Sequence, residues 1–449
     1  HPDDPLMARL FGTDGIRGVA NVELTAELAQ SLGRAVVRRL HPGGGALVLG
    51  QDTRRSGDML AAAIISGATS MGADVHRVGV LPTPALSFLA ADGDFDAGIM
   101  VSASHNPADD NGLKVLDRQG LKLDDAIEDE LEALMRSPDE PRGPTNAGLG
   151  HEVDAGALLD RYRAQRLGIA RGIRSSLRVV LDCANGSGGV VAPELLAATG
   201  AEVEVIFNAP DGVNINLECG ATAPEALAER VHAAGADIGF ALDGDADRCV
   251  AIDERGEIVD GDQLIGLLAL ERLERGALTG RAVVVSVLSN GGLTSAVEAA
   301  GGRVVRTPVG DKYILEAMMA ESAGLGGEKS GHVIIAEHAI CGDGIVTAIE
   351  TLRVVAATGR RLSELAALIP LYPQEQRTVP VRHKDRWAAD APLAEAIQDA
   401  ERELAGHGRL LVRPSGTEAA LRFMLEGPDA RRIAVLADGL AALAAERLN

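Results

Sequence analysis

One pattern, written three times along the chain, limits what this sequence can fold into. Each copy is an apolar strand, a turn rich in glycine or polar residues, an Ala/Leu-rich helix, and a second strand that opens on glycine with valine at its fourth position. The first copy is Ala46-Leu47-Val48-Leu49-Gly50, a helix from about Asp58, then Gly72-Ala73-Asp74-Val75. The second is Val179-Val180-Leu181-Asp182, the turn Asn185-Gly186-Ser187-Gly188-Gly189, a helix, then Gly200-Ala201-Glu202-Val203. The third is Val283-Val284-Val285-Ser286, Asn290-Gly291-Gly292, a helix, then Gly301-Gly302-Arg303-Val304. Unbroken aliphatic runs separated by helices imply mainly parallel strands covered on both faces. Coincidence among common α/β units is the competing reading.

Polar stretches with Pro and Gly, at 137–150 and 372–374, mark the expected boundaries. They divide the chain into α/β domains over 7–150, 151–255 and 256–370, and a smaller domain over 374–449. The last stretch is more charged, with helices expected near 392–404 and 429–448. The fold class is therefore α/β: three successive domains with mixed or parallel sheets, then a smaller α+β domain at the C-terminus.

Composition narrows the partners. With aromatics at 2% and 53 glycines, the cores must be aliphatic and the turns many. A net charge of -22 repels nucleic acid and anionic membranes, so a phosphorylated ligand has to be met by local positive clusters. Cys183, Cys219, Cys249 and Cys341 form no CxxC pair, which fits a reducing cytoplasm better than a disulfide scaffold or zinc site. No apolar run approaches the roughly 18 residues of a membrane span. Residues 1–6 precede Met7 and read as an appended segment.

Two segments carry chemistry. Val101-Ser102-Ala103-Ser104-His105-Asn106-Pro107 follows an apolar strand, at the edge where α/β sheets place ligand loops. A hydroxyl held there can accept a phosphoryl group if a base or metal activates it; a turn whose serines only satisfy backbone groups is the alternative. Lys114, a few residues on, offers a counter-charge or a proton shuttle, or is a solvated surface lysine. The second segment is Leu242-Asp243-Gly244-Asp245-Ala246-Asp247-Arg248. Three carboxylates at alternate positions project to one side of an extended chain, with only Gly and Ala between them. Such anions call for a hard cation, and oxygen ligands favour Mg²⁺. A plain acidic turn is the competing reading, and the spacing does not match an EF-hand. Arg248 would face the same anionic ligand.

With further motifs along the chain, these segments resemble the α-D-phosphohexomutase superfamily over 11–422. Phe11-Gly12-Thr13-Asp14-Gly15-Ile16-Arg17-Gly18 is similar to its N-terminal signature, which turns Thr13 and Arg17 toward the site. Gly327-Glu328-Lys329-Ser330-Gly331-His332 is similar to its sugar loop, with Glu328 and Ser330 for hydroxyls and His332 as a proton donor. Arg413-Pro414-Ser415-Gly416-Thr417-Glu418 is similar to its phosphate loop, a guanidinium, two hydroxyls and exposed backbone N–H groups, with Arg422 adding charge. The runs 210–222 and 306–313, and the Ser-Ala-Ser form of the nucleophile loop, resemble the branch acting on glucosamine phosphate.

The resemblance implies a central cleft closed by the fourth domain, phosphate carried on Ser104, and one Mg²⁺ held by Ser104, Asp243, Asp245 and Asp247. It implies interconversion of glucosamine 6- and 1-phosphates through a bisphosphorylated sugar, which also serves as activator. Catalytic residues would be Ser104, Lys114, Arg17, His332 and Arg248; substrate binding would add Thr13, His105, Glu328, Ser330, Arg413, Ser415, Gly416, Thr417 and Arg422. The expected partner is a small phosphosugar, with a second copy of the chain as an open alternative. A phosphomannomutase/phosphoglucomutase is the nearest other activity, and a metal-dependent phosphatase a more distant one.

Overall fold

The computed structural model describes residues 9–12, 14–93, 95–137, 142–405, 408–415 and 419–449. The chain separates into two compact units: one runs to Leu288 and resumes over Gly301–Ala367, the other is Ser289–Ala300 with Leu368–Asn449.

Three sheets form the first unit. The first contains β1 (Phe11–Gly12), β2 (Gly15–Val19), β3 (Gly45–Gln51), β4 (Ala73–Val80), β5 (Ala97–Val101), β6 (Asp110–Asp117) and β7 (Glu152–Asp154), in the order β1-β2-β6-β5-β3-β4-β7. Here β5, β3, β4 and β7 are parallel, while β6, β2 and β1 extend the sheet antiparallel. The second contains β8 (Arg178–Asp182), β9 (Glu202–Ile206), β10 (Ile238–Leu242), β11 (Cys249–Ile252) and β12 (Ile258–Val259), ordered β12-β11-β10-β8-β9. The third contains β13 (Ala282–Ser286), β14 (Arg303–Thr307), β15 (Leu325–Gly327) and β16 (Val333–Ile335), ordered β14-β13-β15-β16.

All three sheets end alike. A parallel strand, β5, β10 or β15, is followed at once by an antiparallel neighbour, β6, β11 or β16. The reversing loop leaves the carboxyl end of the parallel strand, where α/β proteins bind ligands. These loops carry Ser104, Asp243 to Asp247, and Glu328 to His332 respectively.

Packing follows the sequence pattern. Helix Ala26–Leu40 is capped by Thr25, whose hydroxyl accepts from the Leu28 N–H, and buries Ala29, Leu32, Gly33 and Val36 on one face. It lies against helix Ser56–Ser70 with no side chain between the backbones. A Cβ on Gly33 would stand 2.4 Å from the Ile64 carbonyl oxygen, and one on Gly67 2.1 Å from that of Gln30. Alanine at either place forces the helices apart, an overpacking that costs about 1–3 kcal/mol.

The second unit is α+β. β17 (Gln374–Pro380), β18 (Arg409–Pro414) and β19 (Ala420–Glu426) form an antiparallel sheet ordered β17-β19-β18. Helices Ala391–Leu404 and Ala430–Arg447 pack Leu393, Ile397, Ile433 and Leu440 against Val379, Leu421, Phe423 and Leu425 of the sheet. Asp390 and Asp429 cap the two helices.

Candidate active site

Ser104 follows β5 in the left-handed backbone region, with φ of 52°. That conformation costs a non-glycine residue of order 1–3 kcal/mol and persists only where the surroundings impose it. They do so here. The Ser104 N–H donates to Ser102 Oγ at 2.9 Å, and Ser102 Oγ–H donates to Asp52 Oδ2 at 2.6 Å. The Ser104 carbonyl accepts from Arg54 at 3.0 Å and from Asn216 at 2.9 Å. The side chain, 1% exposed, donates from Oγ to Asp243 Oδ2 at 2.5 Å, with His105 Nδ1 at 3.3 Å.

The aspartates converge differently from the sequence expectation. They do not alternate along an extended strand: residues 243–247 form a tight turn between β10 and β11, with Ala246 left-handed at φ 57°. The turn brings one oxygen of each carboxylate within 4.8 Å of the others. The Ala246 carbonyl accepts from the Gly344 N–H at 3.0 Å, which anchors the turn to the start of helix Gly344–Thr358. Gly244 is needed because its backbone touches the serine loop; a Cβ there would stand 2.5 Å from the Ser104 carbonyl oxygen.

Around the cluster, Lys114 on β6 donates from Nζ to Asp245 Oδ2 at 2.8 Å and lies 3.9 Å from Asp247 Oδ2. Thr83 Oγ1 donates to the same Asp245 oxygen at 2.6 Å. The other Asp245 oxygen and Asp247 Oδ1 are buried with no hydrogen-bond partner among the described residues. Hard oxygen ligands, held close and left unsatisfied, fit a hard cation. The buried triad is thus able to bind a metal.

Charge follows from burial and neighbours. Burial, reinforced by Asp247 and Asp245, holds the Asp243 carboxyl well above the usual carboxylate range. Burial also opposes ionisation of Asp247, but His332, Lys114 and Arg248 overcome it and keep that group low. Burial alone would depress the Lys114 ammonium; Asp245, Asp14 and Asp247 together hold it above the ordinary lysine range. Burial, with Arg248 and Arg17 nearby, lowers the His105 imidazole to about 4, so it is neutral near pH 7.

The remaining expected residues fall as follows. Arg17, on β2, pairs with Asp14 and reaches Asn106 Oδ1 at 3.4 Å. Arg248 has its backbone N–H on Asp243 Oδ1 at 3.1 Å and its Nε 3.9 Å from Asp247. His332 is buried; its Nε2 accepts from the Gly342 N–H at 3.1 Å, and its Nδ1 lies 3.7 Å from Asp247 Oδ2. Glu328 Oε1 accepts from the Gly310 N–H at 3.2 Å, and Ser330 is exposed at the loop tip. The structure therefore gathers Ser104, His105, Lys114, Arg17, Arg248, His332 and the three aspartates. A cavity of about 170 Å³ opens beside Lys114, Asp247 and His332.

In the second unit, Arg413 on β18 and Arg422 on β19 are register partners, and the buried Ser415 donates its N–H to the Ala420 carbonyl at 2.8 Å. Thr13, Gly416 and Thr417 lie outside the described residues.

Some site residues escaped the sequence reading. Lys122 pairs with Asp14 and, at 2.7 Å, with Asp311, which in turn lies 3.8 Å from His332. Arg54 and Asn216 hold the serine loop, and Thr83 holds Asp245. Asp14 and Asp311 sit inside motifs already singled out; the one signal for Arg54 was its place just past the end of β3.

Comparison with known proteins agrees along the chain. Residues 8–142 match phosphoglucomutase/phosphomannomutase alpha/beta/alpha domain I, 161–256 domain II, 260–372 domain III, and 377–443 the C-terminal domain. A relative named phosphoglucosamine mutase from Moorella thermoacetica is 49% identical over 438 residues, covering 97% of this chain and 98% of that protein. A crystal structure of a phosphoglucomutase/phosphomannomutase family protein from Burkholderia thailandensis superposes with a TM-score of 0.84 at 28% identity, over 98% of each chain. An Aspergillus fumigatus N-acetylphosphoglucosamine mutase shares the fold, with a TM-score of 0.68 at 20% identity over 99% of this chain and 96% of that one. With a hydroxyl from one sheet meeting three caged carboxylates from the next, and with relatives matching nearly end to end, the chain belongs to the phosphoglucomutase/phosphomannomutase family, among members named phosphoglucosamine mutase.

Proposed function

We propose that this protein interconverts glucosamine 6-phosphate and glucosamine 1-phosphate, with Ser104 carrying the transferred phosphoryl group. The observation that carries the proposal is the Ser104 hydroxyl lying 2.5 Å from Asp243 inside the three-aspartate cluster. The choice of glucosamine rests on relatives 47–49% identical that bear the phosphoglucosamine mutase name.

In this reading a free sugar hydroxyl takes the phosphoryl group from Ser104, giving a sugar bisphosphate. The intermediate turns over, and its other phosphate returns to Ser104. The P–O bond made to the sugar replaces the one broken at serine, so the exchange balances without net hydrolysis. Asp243, Asp245 and Asp247, with Ser104, would hold one Mg²⁺. When bound, that ion neutralises charge on the phosphoryl oxygens.

Arg17, Arg248 and the neutral His105 would surround the phosphoryl group on Ser104. Lys114 is better suited to holding charge there than to shuttling a proton, because its neighbours keep its ammonium protonated. His332 would keep a proton on Nδ1, since its Nε2 already accepts from Gly342. Glu328 and Ser330 would bind the sugar, and Thr13, Arg413, Ser415, Gly416, Thr417 and Arg422 would hold the substrate's own phosphate. Four free cysteines suit a reducing cytoplasm. Among the described residues no helix is long and apolar enough to cross a membrane.

The test is a panel of glucosamine 6-phosphate, mannose 6-phosphate and glucose 6-phosphate, primed with a trace of sugar bisphosphate. Preferred turnover of the amino sugar is expected. Preference for mannose or glucose phosphate would move the assignment to the phosphomannomutase/phosphoglucomutase activity, and release of inorganic phosphate would make the protein a phosphatase.

A further inference from the structure

Arg54 lies outside every motif used so far, yet its side chain is fully enclosed in the protein. A guanidinium has five N–H donors in a fixed plane. All of them are committed. Nε–H donates to Asp52 Oδ2 at 2.9 Å. One terminal nitrogen donates to the Pro107 carbonyl and, at 2.9 Å, to that of Asp110. The other donates to the carbonyls of Ser104 at 3.0 Å and Asn106 at 2.8 Å.

One side chain thus gathers three carbonyls from the loop that joins β5 to β6 and a fourth from Asp110, where β6 begins. Its partner Asp52 reaches the same loop from the other side, through Ser102 Oγ to the Ser104 N–H. Asn216, which belongs to a run noted in the sequence but given no role, donates from Nδ2 to two of those carbonyls, Ser104 at 2.9 Å and Asn106 at 3.0 Å. The left-handed Ser104 is therefore pinned at its own N–H and at its own carbonyl, which leaves Oγ aimed at Asp243.

We propose that Arg54 is a positioning residue for phosphoryl transfer: it fixes the backbone turn that aims the Ser104 hydroxyl at the aspartate cluster, with Asn216 as its second clasp. The proposal rests on Ser104 being the phosphoryl carrier. It concerns the rate of transfer and not the capture of the sugar, since every Arg54 donor is already committed within the protein.

Lysine in place of Arg54 keeps the charge but brings three donors on a flexible stem, so at least two of the five acceptors lose their bonds. Misplacing a reacting group by about 1 Å costs on the order of 10²-fold in rate. Arg54→Lys is expected to lose kcat on that order while KM for glucosamine 6-phosphate stays unchanged. Its uptake of one phosphate from sugar bisphosphate, followed by intact mass, should slow in step with kcat. Adding methylguanidinium to Arg54→Ala should recover part of the lost kcat without moving the melting temperature.

Wild-type kcat per folded molecule in Arg54→Lys would overturn the proposal, as would a loss seen in KM alone. If neither Arg54 variant folds, Asn216→Ala decides: a smaller drop in kcat at constant KM supports the clasp, and unchanged kcat overturns it. Ser104→Ala run in parallel separates the two layers. Activity in that variant removes the carrier itself, whereas a dead Ser104→Ala beside a normal Arg54→Lys removes only the role given to Arg54.

Discussion

Ser104 and Ser330 occupy equivalent places, each on the loop that reverses a parallel strand into an antiparallel one. Ser104 is 1% exposed, with its N–H, carbonyl and hydroxyl all bonded to neighbours, whereas Ser330 stands exposed at a loop tip. Ser104 is held at three points, whereas the Ser330 side chain faces solvent. In the proposed reaction a sugar held in two orientations is served by adaptable recognition, while the transferred group needs one fixed geometry. The repeated architecture supplies three similar loops, and on the proposed mechanism the buried serine carries the phosphoryl group while the exposed one meets the sugar.

That contrast is exposed to test. The largest effect is expected at the Ser104 loop. Ser104→Ala should lower kcat by at least about 10⁴-fold, the scale seen when a covalent nucleophile is removed. Calorimetry should still show glucosamine 6-phosphate binding; lost binding would place Ser104 among the recognition residues instead. Next comes the neighbouring turn. Outer partners of metal ligands typically contribute about 10–100-fold in affinity, so Asp245→Asn should weaken Mg²⁺ binding by at least that much in a titration. Unchanged affinity would remove Asp245 from the metal site.

At the exposed loop the effect should be smaller and of another kind. Glu328→Gln or Ser330→Ala should raise KM by about tenfold, worth about 1.4 kcal/mol, with kcat nearly preserved. A fall in kcat with constant KM would erase the distinction between the loops.

A last effect concerns stability and leaves the chemistry alone. Asp182 closes β8, fully buried, accepting the Ala184 and Gly220 N–H groups at 2.7 Å each. Burial pushes its carboxyl up to about 6, against an ordinary 3.8. The raised value means that its stabilising contribution is complete below the ordinary value and disappears as pH climbs through the folded one. The loss amounts to roughly 3 kcal/mol at most. Thermal unfolding should show wild type losing ground to Asp182→Asn as pH rises from about 4 to about 7; parallel curves would mean that Asp182 ionises normally.

Much of this architecture was legible in advance, because periodic aliphatic runs and glycine turns are local signals. β3, β8 and β13 and the helices after them stand where the repeat put them. The antiparallel direction of β6, β11 and β16 was not legible, because only pairing with a neighbour defines it. The same holds within the site. Asp243, Asp245 and Asp247 could be read as a group because they are adjacent in sequence, although the turn that unites them could not. Lys122 and Asp311 are 189 positions apart, and Arg54 and Ser104 are 50 apart. Such partners meet only through the fold.

The contact at Gly244 carries a last implication. Where two main chains touch directly, the spacing of the serine loop from the aspartate turn is set by backbone van der Waals contact. Thermal jostling of the surrounding side chains then leaves that gauge unaltered, while a lone methyl group inserted at position 244 would act as a wedge and ruin it.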